Sequence, residues 1–236
     1  YQVKTNHFTP AEGSYPIEDV SPFIVRDFSR CILCGRCVQA CNEVQVNNAI
    51  SFDYRGRKSK IVTEGDRPLK DSICVFCGEC VQACPVGALI PKNDLLLECS
   101  SNETKKIRTA CTYCGVGCQL YLHVKNNKVI KVTGVEDVGP NFGSLCVKGR
   151  YGYDFINDPE RLKTPLIKEN GKFKEASWEE ALNLIAEKLT RIKEESGPDS
   201  IMVLSSARVT NEENYLAQKF TRAVIGTNNI DHCARL

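Results

Sequence analysis

The sequence predicts a chain of mixed α+β and α/β class in three successive parts: a duplicated cysteine-bearing module, a small β-rich domain, and the start of a doubly wound α/β domain. Three observations predict it. "CILCGRCVQAC" at 31–41 returns as "CVFCGECVQAC" at 74–84, agreeing at eight of eleven positions, so the first part is an internal repeat. "CTYCGVGC" at 111–118 and Cys146 flank a stretch of strand-like alternation. From Ser177 onward, apolar periodicity alternates between helix and strand.

The bulk properties exclude several classes. At 236 residues, 42% apolar and 25% charged, this is ordinary soluble-protein composition with room for one to two domains. A net charge of +2 gives no electrostatic reason to expect nucleic acid or a membrane surface. No run of about eighteen apolar residues is present to span a bilayer. The 14 cysteines decide the rest: they stand two or three residues apart, a spacing that gathers sulfurs around metal and strains a disulfide between neighbours.

Each repeated run reads C-x2-C-x2-C-x3-C, and the second continues with Pro85. This is the spacing of bacterial two-cluster ferredoxins, in which the fourth cysteine ligates the other cluster. Three cysteines on a tight loop cap one face of a cubane, with Gly35 or Gly78 letting the backbone approach closely. The fourth, one helical turn on, points away. Cys31, Cys34, Cys37 and Cys84 are therefore expected to hold one [4Fe–4S] cluster, and Cys74, Cys77, Cys80 and Cys41 the other. A pair of zinc sites is the rival, but zinc more often uses two separated C-x2-C knuckles. Asn42 stands where the run usually has proline, which weakens the local turn and removes no ligand. Residues 53–68 are polar and turn-rich and read as a surface insertion. The module is bounded at 22–98, after a leader at 1–21 and before a linker at 99–107.

The next part, 108–163, carries C-x2-C-x3-C-x27-C: Cys111, Cys114, Cys118 and Cys146. Between them "LYLHVKNNKVIKVTG" reads as a hairpin turning at Asn126–Asn127, which would return Cys146 to the first three. Spacing alone leaves zinc and iron–sulfur both open here. The surrounding residues add a resemblance: "CTYCGVGC" and "SLCVKGR" closely resemble the cluster-binding segment at the front of molybdopterin oxidoreductase catalytic subunits. The resemblance implies a third [4Fe–4S] cluster on these four cysteines. It also implies that Lys148 lies between cluster and pterin and helps pass the electron; without it, Lys148 is a surface lysine.

From 164 to 236 the pattern is helix, strand, helix, strand. "SWEE" at 177–180 is a capping box, and Trp178, Leu182, Ile185, Leu189 and Ile192 share one face of the helix that follows. "SIMVLSS" at 200–206 reads as a short buried strand. "TNEE" at 210–213 caps a second helix bearing Tyr215, Leu216, Phe220 and Val224, ended by Gly226, and "NNID" opens the next strand. Ligands bind at the carboxyl ends of strands in such sheets, where "SSARVT" and "HCARL" sit. Arg208 reads equally as a partner for a pterin phosphate or as a loop charge. Cys233 either touches the cofactor or does not, since twelve other cysteines already complete three sites.

"NEENYLAQKFTRAVIGTNNIDHCARL" resembles the formate dehydrogenase branch of that family in particular, and the likeness runs from "SPFIVRDFSRC" onward. It implies the N-terminal part of a cytoplasmic catalytic subunit with a molybdenum or tungsten bis(molybdopterin guanine dinucleotide) cofactor acting on formate and CO2. Flavin- and NAD(P)-binding subunits or hydrogenase-type iron–sulfur subunits would be the partners. In such enzymes the residue after the "CARL" segment is the selenocysteine or cysteine that ligates the metal, followed by histidine. A chain ending at Leu236 is thus expected to be a truncated product of a selenoprotein, stopped at UGA. Two rival readings are a polyferredoxin-like carrier and a complex I-like iron–sulfur subunit. His7, His123 and Cys99 carry no expected role: His123 is read as solvent-facing and Cys99 as a small buried group.

Overall fold

In the computed structural model, which describes residues 15–95 and 104–233, the cysteine repeat of the sequence is also a structural repeat. The described residues form two units. The first runs to Arg108 and resumes over Leu120–Tyr153; the second takes Thr109–Gln119 and the chain from Asp154.

In the first unit, β1 (Ile24–Arg26) leads into the first cysteine loop and α1 (Arg36–Gln39). β2 (Ser51–Asp53) and β3 (Lys60–Val62) form an antiparallel hairpin, with Ser51 opposite Val62. The second cysteine loop leads into α2 (Glu79–Ala83), and β4 (Leu89–Pro91) returns antiparallel to β1, with Arg26 opposite Leu89, before α3 (Lys92–Leu95). Both helices start at a glycine in the left-handed region, Gly35 at φ 76° and Gly78 at φ 80°. They end differently. Pro85 forces the residue before it out of helical geometry, and Cys84 is extended at φ −77°, ψ 114°. Asn42 imposes no such stop, so α1 runs on through a π-helical turn, Ala40–Val44. The missing proline adds a turn without moving the ligand off the helix.

The stretch 53–68 is not wholly a surface insertion. Its β-branched pair Ile61 and Val62 is only 5% and 2% exposed, and Ile61 joins Ile24, Ile50, Leu69 and Leu89 in a core that includes Cys41. Tyr151 joins the same core, its ring stacked on Phe23 at 5.2 Å and 10°.

A three-stranded sheet follows in the order β5 (Lys105–Ala110), β6 (Gln119–Lys125), β7 (Lys128–Gly134). The β6–β7 hairpin turns where expected. Asn126 and Asn127 have φ 49° and 59°, the two positive values a type I′ turn demands and asparagine tolerates. β5 begins inside the expected linker because Lys105, Lys106 and Arg108 hide its pattern, and five of its residues stay exposed. His123 is not simply solvent-facing: it is half-buried, with Nε2 at 2.9 Å from Thr133 Oγ1 on the neighbouring strand. Helix α4 (Val147–Tyr151) completes the unit.

The second unit contains α5 (Asp154–Asn157) and a hairpin of β8 (Leu166–Glu169) and β9 (Lys172–Glu175), turned by Asn170 and Gly171 at φ 49° and 82°. α6 (Trp178–Ser196) opens on the expected capping box: Glu180 N–H donates to Ser177 Oγ, and Ser177 N–H to the Glu180 carboxylate. β10 (Val203–Ser205), α7 (Asn211–Lys219, continued by a π-helical turn to Ile225) and β11 (Ile230–His232) follow, with β11 parallel to β10. The order is as expected, but β10 is shorter and less buried, with Leu204 76% exposed. Trp178, Leu182 and Ile185 on α6 are also exposed. Parallel strands are buried only where helices cover both faces, and among the described residues this sheet has two strands. Among the described residues no helix is long and apolar enough to cross a membrane.

Candidate metal centres

The two cysteine loops match residue for residue in backbone form. Leu33 and Phe76 have φ 55° and 53°, and each turns its N–H back on the cysteine two residues before: Leu33 to Cys31 Sγ and Phe76 to Cys74 Sγ, both at 3.4 Å. The fourth cysteines match too. Ala49 N–H donates to Cys41 Sγ and Ala88 N–H to Cys84 Sγ, both at 3.3 Å, despite the longer path after Cys41. Four backbone N–H groups therefore point at sulfur, as anionic thiolates require.

Cys31, Cys34, Cys37 and Cys84 line one apolar cavity with Ile50, Ile61, Leu69 and Val86, and Cys80 of the second run also reaches it. Burial pushes the Cys37 thiol up to about 11, with Cys31, Cys84 and Cys34 adding to the effect. Burial also raises Cys74, with Cys77 and Cys41 as its cysteine neighbours, and drives Cys80 far up beside Cys74, Cys77, Cys37 and Cys41. The fold thus brings Cys84 to the first loop and Cys41 to the second. Thiols held this way bind metal only by losing protons that burial would otherwise retain. Among the described residues no three His, Cys, Asp or Glu side chains converge tightly enough to share one metal ion. Four thiolates about one apolar cavity are the donor set that a [4Fe–4S] cluster takes.

Cys111, Cys114 and Cys118 sit on the turn between β5 and β6, closed by a 2.8 Å bond from Cys111 N–H to the Cys118 carbonyl. The turn is tied within its own unit to the start of α7, where Asn211 Nδ2 donates to the Gly115 carbonyl at 2.7 Å. A Cβ on Gly115 would meet the Asn211 side chain at 2.7 Å, which is why glycine stands there. Cys146 and Lys148 belong to the other unit: Cys146 caps α4 and Lys148 is exposed on it.

The parallel strands β10 and β11 end together, Ser205 opposite His232. Just beyond, Ser206 Oγ lies 3.3 Å from Cys233 Sγ and accepts from Arg208 N–H at 3.0 Å. The Ser206 hydrogen bond, with lesser help from the Ala207 backbone and Arg208, lowers the Cys233 thiol below its usual range. Arg208 and Cys233 thus both follow the carboxyl ends of the two parallel strands. His7 and Cys99 lie outside the described residues.

Family models match this arrangement part by part: a 4Fe-4S dicluster domain over 30–88, the molybdopterin oxidoreductase Fe4S4 domain over 104–158, and molybdopterin oxidoreductase over 161–236. The chain belongs to the molybdopterin oxidoreductases. Its similar relatives include a Bacillus subtilis protein named "Probable oxidoreductase YjgC", 39% identical over 99% of this chain and 28% of that one. A Staphylococcus aureus protein named "Putative formate dehydrogenase" is 38% identical over 92% of this chain and 26% of its own. The chain spans about a quarter of the length of these relatives.

One group in this molybdopterin oxidoreductase escaped sequence reasoning. Arg150, 6% exposed, donates from Nε to the Cys77 carbonyl at 2.6 Å, from Nη1 to Gln82 at 3.0 Å and from Nη2 to the buried Glu79 at 2.7 Å. It fills the space beside Gly78, where a Cβ would meet its Cδ at 2.3 Å. Gly78 is therefore needed for Arg150 and not only for a close approach of backbone to metal. "CVKGR" named the arginine; nothing local showed that Glu79, seventy-one residues earlier, would be its partner.

Proposed function

We propose that this chain is the electron-transferring part of a formate dehydrogenase or CO2 reductase catalytic subunit. When bound, a molybdenum or tungsten bis(pterin) centre would supply two-electron formate chemistry, and three [4Fe–4S] clusters would supply one-electron relay. The observation that carries the reading is the crossed gathering of cysteines, Cys84 with the first loop and Cys41 with the second; the sequence spacing of Cys111, Cys114, Cys118 and Cys146 supports a third set. The chain's own residues present thiolates, shield them with apolar side chains, and direct N–H groups at sulfur. Lys148, two residues after Cys146, is the cation that eases electron passage toward the pterin side. Arg208 and Cys233 face the pterin from the strand edge, Arg208 toward phosphate. Flavin- or hydrogenase-type partner subunits and a cytoplasmic location complete the reading.

The test is metal analysis and turnover of the full protein isolated anaerobically. About twelve irons and twelve acid-labile sulfides, from three clusters of four thiolates each, are expected together with formate-dependent dye reduction. Stoichiometric zinc, or only eight irons, overturns the ligand assignment. Full iron without pterin and without formate turnover leaves the carrier reading instead.

Lys148→Met should slow formate-driven reduction of an acceptor fed by the ferredoxin-type clusters by roughly tenfold or more, with iron content intact. Unchanged turnover would return Lys148, exposed on α4, to an ordinary surface lysine.

A further inference from the structure

The two loops match in backbone form and in their N–H bonds to sulfur, so those bonds do not make the sites differ. At 3.3–3.4 Å each set of four receives two: Leu33 and Ala88 serve Cys31 and Cys84, while Phe76 and Ala49 serve Cys74 and Cys41; the Val38 and Glu79 backbones add one each, to Cys37 and Cys77. The difference lies at the end of β1. Arg26 is 1% exposed and lines the cavity of Cys31, Cys34, Cys37 and Cys84. The offset that takes Cys31 to Cys74 takes Arg26 to Leu69, an apolar residue lining the same cavity.

One side of the Arg26 guanidinium is fully engaged. Nε donates to Glu18 Oε1 at 2.9 Å, and Nη2 donates to Glu18 Oε2 and, at 3.1 Å, to the Arg67 carbonyl. Among the described residues the buried Nη1 has no hydrogen-bond partner, the guanidinium lying over the Phe28 ring at 5.1 Å. A buried N–H on a cation without an acceptor is costly and calls for an explanation. An anionic group in the cavity that Arg26 lines would supply the missing acceptor.

Resting on the cluster reading above, we propose that Arg26 sets the reduction potential of the [4Fe–4S] cluster of Cys31, Cys34, Cys37 and Cys84 by presenting Nη1–H to its sulfur. Reduction adds one negative charge to the cluster. A fixed cation with a free donor stabilises that added charge and raises the potential, since hydrogen bonds to sulfur and local charge tune such clusters. Glu18 holds the guanidinium in place and offsets part of its charge from the far side. The pair makes two clusters of one repeat unequal, which gives electron flow a direction between them. The Arg26 charge also reaches Cys74 of the other set, so both clusters must be read.

The experiment is an EPR-monitored redox titration of the anaerobically isolated protein, with signals assigned through Cys34→Ser and Cys77→Ser. In Arg26→Met the signal assigned by Cys34→Ser should titrate at a more negative potential, with a smaller move for the other cluster. Arg26→Lys, which keeps charge but not the fork, should fall between. Glu18→Gln, which removes the opposing charge, should move the same signal to a more positive potential. Iron and sulfide counts separate the two failures. A wild type short of these clusters sinks the cluster reading. Full clusters whose potentials ignore both Arg26→Met and Glu18→Gln, or shift only at the Cys77 set, overturn the role of Arg26. Should Arg26→Met fail to retain its cluster, the Glu18→Gln shift alone decides.

Discussion

Arg150→Met should cost the fold about 3–5 kcal/mol, because it strands the Glu79 carboxylate, 6% exposed, without its counter-charge. The Cys77 carbonyl and Gln82 lose donors in the same step. Among the described residues the other donor to Glu79 is the Leu145 N–H, at a long 3.4 Å. A loss of that size is a large share of the ~5–15 kcal/mol that holds a domain together, and the thermal midpoint should fall by about 10 °C or more. The double variant Arg150→Met, Glu79→Leu should recover much of it, since a buried pair exchanged for apolar side chains is often neutral. Thermal denaturation of the four proteins under argon reads the result. A single variant within about 1 kcal/mol of wild type would mean that water reaches Glu79. The pair also joins helix α2, which carries Cys80, to helix α4, which carries Lys148. Variants that loosen it should therefore slow electron transfer as well as unfold early.

Cys84→Ala should damage the cluster of Cys31, Cys34 and Cys37 and spare that of Cys74, Cys77 and Cys80, although Cys84 belongs to the second run. Its sulfur faces the first cavity and accepts from Ala88 N–H there. EPR should show one intact signal and one lost or converted to a three-iron form, with up to four irons gone. The reciprocal Cys41→Ala should reverse the pattern. Damage to the cluster of its own run in either variant would refute the crossed assignment.

Much of this site was legible because the signals are local. The C-x2-C-x2-C-x3-C spacing, the glycines at 35 and 78, the Asn126–Asn127 turn and the two capping boxes involve groups a few residues apart, where bond geometry dictates the outcome. Misreadings arose where polar residues hid a strand or a buried pair. β5 is masked by Lys105, Lys106 and Arg108, and Ile61 and Val62 by the charged residues around them. In α6 the apolar periodicity gave the helix and left its burial open, since burial depends on what lies against the face.

By itself, then, the sequence determined the cysteine spacing and its repeat, the helix starts, the hairpin between Cys118 and Cys146 and the order of elements after Ser177, all consequences of short-range chemistry. Tertiary structure alone decided that Glu79 meets Arg150, that Gly78 makes room for a side chain, and that a buried Arg26 lines the Cys31 cavity. Those pairings join residues distant in the chain, and no periodicity marks them. A buried charge finds its partner only when packing excludes water and leaves one group within reach.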